Sequence, residues 1–407
     1  MTSPRPVLTT PVLLLMAVAT GLCVGGNYFN QPLLASIADA LGTSESAAAS
    51  TVTVAQVAYG LGLLFIVPLG DMFPQRRLAV LLMLVAAAGQ GLSGVAPNIG
   101  VLVVGTAVAG LFSVAAQVLV PFAATLATPE HRGRAVGTVM SGLLVGILAA
   151  RSVAGILAEL GGWATVYRVS AVAMVIVALA LWRVLPATTP TARQSYGRTL
   201  RSLGTLLLAH PRLRTRALLG GLTFASVSAL FSTMAFLLAG PPFGLGDLQI
   251  GLVGLAGLAG ALAATVAGRL VDRGYGPQTT AVGVVTVVLS WPALAAGGTS
   301  LLWFLVGMLV IDLALSLVHI TNQSVVYALD PDARSRLNSV YMTGYFIGAA
   351  SGSALGTAAW TAGGWPGVCV LGAALGLLAA LVWLYDRRIA ARMPGGAVTT
   401  GDERAAA

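Results

Sequence analysis

The chain has 407 residues, 57% of them hydrophobic and only 9% charged, with a formal net charge of +9. A water-soluble domain carries roughly 25% charged residues, so this composition excludes a soluble globular or disordered protein and makes lipid the solvent. All 22 basic residues are arginine; without lysine the chain can build neither a Walker A phosphate loop nor a pyridoxal Schiff base.

Runs long enough to cross a bilayer, about 20 mostly apolar residues each, fall at 11–34, 49–69, 78–96, 100–125, 135–159, 164–185, 216–240, 249–270, 279–297, 301–327, 338–361 and 365–385. The expectation is an all-α membrane protein of twelve transmembrane helices. The first run lacks the basic region and cleavage site of a signal peptide and reads as a retained helix. It carries Asn27, Asn30 and Gln31 after Gly25 and Gly26. On a continuous helix these amides share one face, either to contact a substrate or to bond a neighbouring helix. The second run ends at Asp71 with Arg76 and Arg77 beyond, and the fourth holds Gln117. The fifth holds Gly142, Gly146 and, deep in apolar sequence, Arg151; Glu159 lies near its far end. The eighth has Gly251, Gly254, Gly257 and Gly260 and ends at Asp272 and Arg273. The tenth holds Asp312 and His319, and the eleventh carries glycine at every fourth position, Gly344, Gly348, Gly352 and Gly356.

Charge inside a bilayer costs from about 3 to more than 10 kcal/mol and faces protein or water. At 1.5 Å per residue, Arg151 lies roughly 12 Å below one surface and Asp312 roughly 16 Å below the same surface. The depths match within an arginine's reach. Either the two form a central charge pair or proton site, or they are a structural ion pair, or Arg151 snorkels toward Glu159. His131, His210 and His319 show no metal spacing, and Cys23 and Cys369 sit inside spans as structural thiols. No metal or cofactor is expected, and no nucleophile–base spacing of an enzyme appears.

Arginines follow spans 2, 4, 6, 8, 10 and 12: Arg76 and Arg77, Arg132 and Arg134, Arg193 and Arg198 among others in the loop after span 6, Arg273, Arg334 and Arg336, Arg387 and Arg388. The opposite loops hold Asp39, Glu45 and Asp247. This is the positive-inside pattern. It explains the basic excess without nucleic acid and puts both termini in the cytoplasm of a plasma-membrane protein.

The chain also repeats. "PEHRGR" (129–134) matches "PDARSR" (331–336), "GGW" recurs at 161 and 363, and Gly146 matches Gly348, each at an offset of 202; Asp71 and Asp272 differ by 201. The division read from this is a six-helix half at 1–185, a cytoplasmic linker at 186–215, a second half at 216–390 and a disordered tail at 391–407.

"GRLVDRGYG" (268–276) resembles the loop motif of the major facilitator superfamily, with Gly268, Leu270, Asp272, Arg273 and Gly276 fitting. "VPLGDMFPQRR" (67–77) is its partial first copy, with Val67, Met72 and Pro74 in place of Gly, Arg and Gly. "NYFNQPLL" (27–34), "AFLLAGPPFG" (235–244) and "NQSVVYALDPDARSRLN" (322–338) are similar to the arabinose-efflux-permease-like and drug–proton antiporter branch. That branch carries an arginine in span 4 where this chain has Thr106, and a Gly-Pro pair in span 5 where Ile147 follows Gly146. The resemblance implies alternating access by two six-helix halves and a monomeric, proton-coupled exporter of a small organic molecule. It implies that Asp71, Arg76, Arg77, Asp272 and Arg273 latch a cytoplasmic gate, that the first helix with Asn27, Asn30 and Gln31 borders the cavity, and that spans 2, 5, 8 and 11 form the seam between halves. Arg151 and Asp312, with Gln117 and His319 as further candidates, are read from their own polarity in apolar sequence as substrate or proton pathway residues. Uptake on the same fold is the rival within transport; a non-transporting membrane sensor is the rival outside it.

Overall fold

The computed structural model describes residues 8–128, 131–187, 195–254, 266–330 and 333–392. These form helices joined by short turns. The helices are α1 (Thr10–Gly25), α2 (Leu34–Ala40), α3 (Glu45–Phe65), α4 (Gln75–Gly94), α5 (Ile99–Phe112), α6 (Ala115–Leu126), α7 (Arg132–Gly161), α8 (Ala164–Val184), α9 (Tyr196–Ala209), α10 (Pro211–Phe231), α11 (Met234–Ala239), α12 (Asp247–Val253), α13 (266–272), α14 (Gly276–Ala296), α15 (Leu301–Leu329) and α16 (Arg334–Ala391). Nine helices among the described residues are long and apolar enough to cross a membrane, and Thr10–Gly25 is a shorter apolar one. Lipid offers no partner to backbone N–H and C=O groups, so spanning segments satisfy them internally as helices.

The punctuation is local chemistry. Ser44 caps α3, accepting from the Ala47 N–H at 3.2 Å, and Asn98 caps α5, accepting from Val101 at 3.1 Å. Gly162, at φ 79°, ends α7, while Gly363 and Gly364 break α16 into the eleventh and twelfth predicted spans. Half of the eighth predicted span, 255–265, lies outside the described residues, as do Gly257, Gly260, Arg193 and the tail beyond 392. Within the expected linker, α9 is a helix.

The first predicted span is not one helix. It stops at Gly25, turns through 26–30, and resumes as the 3-10 turn Gln31–Leu33 and α2. Gln90 lies where a side chain at Gly26 would be and donates to the Gly26 carbonyl at 3.4 Å. Asn27 and Gln31 therefore do not share a helical face, as their spacing alone suggested.

Helix contacts repeat between the halves. Gly21 of α1 meets Gly146 of α7 backbone to backbone, and Gly142 meets Ala17; Gly221 of α10 meets Gly348 of α16, and Gly352 meets Ala225. Without a hydrophobic force between helices in lipid, close backbone approach supplies the dispersion contacts that hold them. This corrects the seam expectation for these stripes: they pack helices within one half. The second, fifth, eighth and eleventh predicted spans do meet at the seam, α3 against α16 and α7 against α12, and the close glycine contact there is Gly155 on Gly251. Peripheral faces are apolar and outward, as at Val172, Ile176 and Leu179 on α8 and Val282, Val285 and Leu289 on α14, where lipid would lie.

Candidate functional site

The halves join at the arginine-poor end. Ser36 donates to Asp247 at 2.5 Å, Thr53 to Ser353 at 2.9 Å, Gln56 to Ser228 at 3.2 Å, Ser152 to the Gly251 carbonyl at 3.1 Å, and the Trp360 indole to Glu45 at 2.6 Å. At the arginine-rich end a cleft of about 90 Å³ lies between them. It is lined by Pro68 and Gln117 from the first half, Thr199 and Leu203 of α9, and Arg336 and Ser339 of α16, and reaches neither Arg151 nor Asp312. The Tyr196 hydroxyl ties α9 to the end of α3, donating to the Phe65 carbonyl at 2.8 Å.

Arg151 sits above the cleft, where the halves close. It is 5% exposed. Its Nε donates to Gln31 Oε1 at 2.7 Å, and its guanidinium lies 3.9 Å over the Phe231 ring and 5.3 Å from the centre of the Tyr28 ring. A methyl group at Gly254 would stand 2.9 Å from its Cβ and Cδ, so α12 leaves room for the arginine by having no side chain there. An amide oxygen and an aromatic face are both attractive to a desolvated cation. These contacts, not Glu159 at the exposed end of α7, hold Arg151.

Asp312 on α15 is 8% exposed, and its Oδ2 is buried without a hydrogen-bond partner. Arg212 and Arg216 pair with Asp386 within 4.0 Å, and Arg151 and Asp312 form no such pair with each other. Arg151 and Asp312 lie within each other's field yet are not in contact. The pair expected from their depths is thus apart in this conformation, because Gln31 and Phe231 hold the guanidinium.

Aromatic rings surround this region. Phe224 stacks on Tyr345 at 4.2 Å, Tyr59 approaches Phe346 at 4.6 Å, and His319 lies 4.7 Å from Tyr345. His319 Nδ1 is 3.0 Å from the Tyr341 hydroxyl, and Gln117 donates to the Tyr59 hydroxyl at 3.3 Å. Asn30 donates to Thr51 at 3.0 Å and so ties α3 to the turn after α1; its Oδ1 is left without a partner. Asn27 is buried in that same turn.

Of the expected gate residues, Arg76, Arg77, Asp272 and Arg273 are not brought together. Arg76 donates to the Leu185 carbonyl at 2.9 Å and stacks 4.3 Å from the Trp182 ring centre, both in its own half. Arg77, Asp272 and Arg273 are exposed. Asp71 lies in the short 3-10 turn Val67–Asp71 after α3.

Sequence reasoning missed a buried polar cluster in the second half. Asp386, in the second segment of α16, is fully buried. It pairs with Arg216 at 2.6 Å and accepts from Thr215 at 2.5 Å, with Arg212 at 3.6 Å. Arg216 also donates to Asn322 of α15 at 3.1 Å. Arg212 and Arg216 read as topology charges of the linker, and Asp386 follows the last apolar run. No local pattern marks Asp386 as the partner of two arginines at least 170 positions earlier. At the closed end, burial pushes the Asp247 carboxyl up, the Ser36 hydroxyl draws it back, and the like charge of Glu159 raises it again.

Two bundles of apolar helices, bonded to each other at one end, with a cleft between them at the other and buried charge where they close, have the architecture of a membrane transporter. The sequence profile of the Major Facilitator Superfamily matches residues 16–331, and the chain belongs to that family. It is 52% identical over 383 residues to an uncharacterized transporter of Escherichia coli O157:H7, YgaY, covering 94% of this chain and 97% of that one. It is 29% identical over 285 residues to a chloramphenicol resistance protein of Streptomyces lividans, covering 70% and 72%. Among solved structures, a bacterial homolog of the human lysosomal transporter Spinster, inward-facing and occupied, superimposes with a TM-score of 0.73 at 16% identity over 95% of this chain and 98% of that one. That likeness concerns the fold.

Proposed function

We propose that the protein exports a small organic molecule across the plasma membrane in exchange for protons, by alternating access. The observation that carries this reading is the placement of an unpartnered acid, Asp312, and a buried arginine, Arg151, between halves that are sealed at one end and cleft at the other. A carboxyl in a low-dielectric space takes up a proton when the field of a neighbouring cation weakens, so motion of Arg151 relative to Asp312 can load and unload a proton. The arginine asymmetry puts the cleft and both termini in the cytoplasm, and the division at 185/186 and 215/216 makes the halves the rocking bodies of a monomer. The bonds Ser36–Asp247, Thr53–Ser353 and Gln56–Ser228 then form the outer gate that opens to release cargo. In the closed-inside state Asp71 and Asp272, with Arg76, Arg77 and Arg273, latch the opposite end. Similarity to a chloramphenicol resistance protein supports export as the direction.

The test is flux in sealed proteoliposomes with an imposed pH gradient, using compounds chosen because they raise the Tm of the purified protein. Accumulation that follows the proton gradient in the exchange direction is expected. Flux of the same compounds that is indifferent to the gradient overturns the proton coupling.

A further inference from the structure

Arg151 and Asp312 present a puzzle of charge. Each is more than nine-tenths buried, each is within the other's field, and they do not touch. A guanidinium has five N–H donors. Among the described residues one of those of Arg151 is used, by Gln31, and no hydrogen bond or ion pair reaches either Nη. Asp312 Oδ2 accepts nothing. The contacts that draw Arg151 away from Asp312 come from both halves: Gln31 and Tyr28 from the first, Phe231 from the second.

A ligand with a single charge placed here would satisfy one of these groups and leave the other buried and unpaired, the costly arrangement for a buried ion. A ligand that carries both an anion and a cation satisfies both at once. We propose that the site takes a zwitterion of the amino carboxylate class, its carboxylate on the free Nη fork of Arg151 and its ammonium on Asp312. A guanidinium fork matches a carboxylate in two parallel hydrogen bonds. The rings of Phe231 and Tyr28, which lie against the guanidinium, give the remainder of such a molecule an aromatic wall. This inference rests on the transport reading above and sharpens it. An ammonium and a proton compete for the same carboxylate, so binding of the cargo releases the proton and the two cross in opposite directions.

The experiment uses the full-length purified protein and a panel of the common protein amino acids, each with its methyl ester and its N-acetyl derivative. Thermal stabilisation is measured for the wild type, Arg151→Gln and Asp312→Asn, with ligand-free Tm and gel filtration confirming that each variant is folded. At least one parent amino acid is expected to stabilise the wild type and to bind about thirtyfold or more tightly than its ester or its N-acetyl form. In Arg151→Gln the advantage over the ester disappears while the advantage over the N-acetyl form remains; Asp312→Asn does the reverse. A panel in which no parent compound stabilises, or in which esters or N-acetyl forms do so equally well, overturns the proposal. So does loss of both advantages in either variant alone, which would mean that the two charges act as one structural unit. Transport separates this proposal from the reading it rests on. If the stabilising zwitterion shows the two charge signatures but does not exchange for protons in proteoliposomes, the zwitterion site stands and the antiport falls. Proton exchange of a compound with one charge or none, unaffected by Arg151→Gln, leaves the antiport and removes the zwitterion site.

Discussion

In the first half, α1 and α7 approach backbone to backbone at Gly21 and Gly146; in the second, α10 and α16 do the same at Gly221 and Gly348. Between the later helices of the two pairs the offset is the 202 residues of the sequence repeat, and it carries Arg151 onto Ser353 and Asp312 onto Gly110. At each matched place the symmetry of the backbone survives and the symmetry of the chemistry does not. Ser353 is a small buried hydroxyl bonded across the seam to Thr53, and Gly110 packs closely on the Ala55 carbonyl. Arg151 and Asp312 bring buried charge to the corresponding positions. Close packing is therefore the shared scaffold, and the departures from the repeat carry the candidate site.

The strongest way to break the comparison is through the scaffold. Gly348→Val and Gly146→Val place a branched side chain where the facing glycine backbone already lies, and each is expected to destabilise by about 3 kcal/mol or to prevent folding. Gly133→Val and Gly137→Val, where a side chain meets nothing within 4 Å, should leave the Tm in detergent unchanged. Equal tolerance at all four positions would show that the stripes do not set the helix spacing.

Asp386→Ala tests the buried ion cluster of the second half. It leaves Arg216 buried without its carboxylate, and a loss of about 3 kcal/mol is expected. Thermal unfolding in detergent checks it, with the exposed Arg387→Ala as the control; a shift no larger than that control would make the cluster dispensable.

Exchanging the broken positions sharpens the comparison at the site. Arg151→Ser imports the residue of the second half; it is expected to fold, at a cost of roughly 1–3 kcal/mol for the lost hydrogen bond and ring contact, and to lose substrate-dependent flux. Asp312→Asn should remove proton-driven accumulation with little loss of stability, because its Oδ2 has no partner to lose. Flux assays with and without a pH gradient distinguish the two, and normal gradient-driven accumulation in Asp312→Asn would remove the proton role from this residue.

The smallest expected effect is a pH bias at the closed end. The Asp247 carboxyl is raised by burial and by Glu159 against the opposing Ser36 hydrogen bond. A group raised in the closed state holds its proton there to higher pH than in an open, hydrated state. Closure at this end is thus favoured as pH falls through the carboxyl range and loses that preference once pH exceeds the closed-state value. A cysteine reporter near Asp39 should label more slowly at acidic pH, by no more than about 1 kcal/mol of bias for a half-exposed group. In Asp247→Asn only the slowing from the thiol's own protonation should remain, and the additional slowing should disappear.

The sequence alone determined the solvent, the helices and the repeat. A bilayer leaves spanning backbone no partner but itself, so composition and run length are enough to place helices such as α4, α7 and α15 within a few residues. It also singled out Arg151 and Asp312, because charge in apolar sequence is conspicuous without any structure. Tertiary structure decided what those charges touch. Gln31 is 120 residues from Arg151, Asp386 is 170 from Arg216, and Phe231 arrives from the other half. Contacts across such separations depend on where helices cross, and that is set by side-chain volumes on two surfaces at once. The glycine stripes show the same limit. Their spacing declares a close approach, but a helix face has no label for its partner, and only the assembled bundle revealed that the glycine stripe of α16 closes on α10 while other residues of α16 meet α3 across the seam.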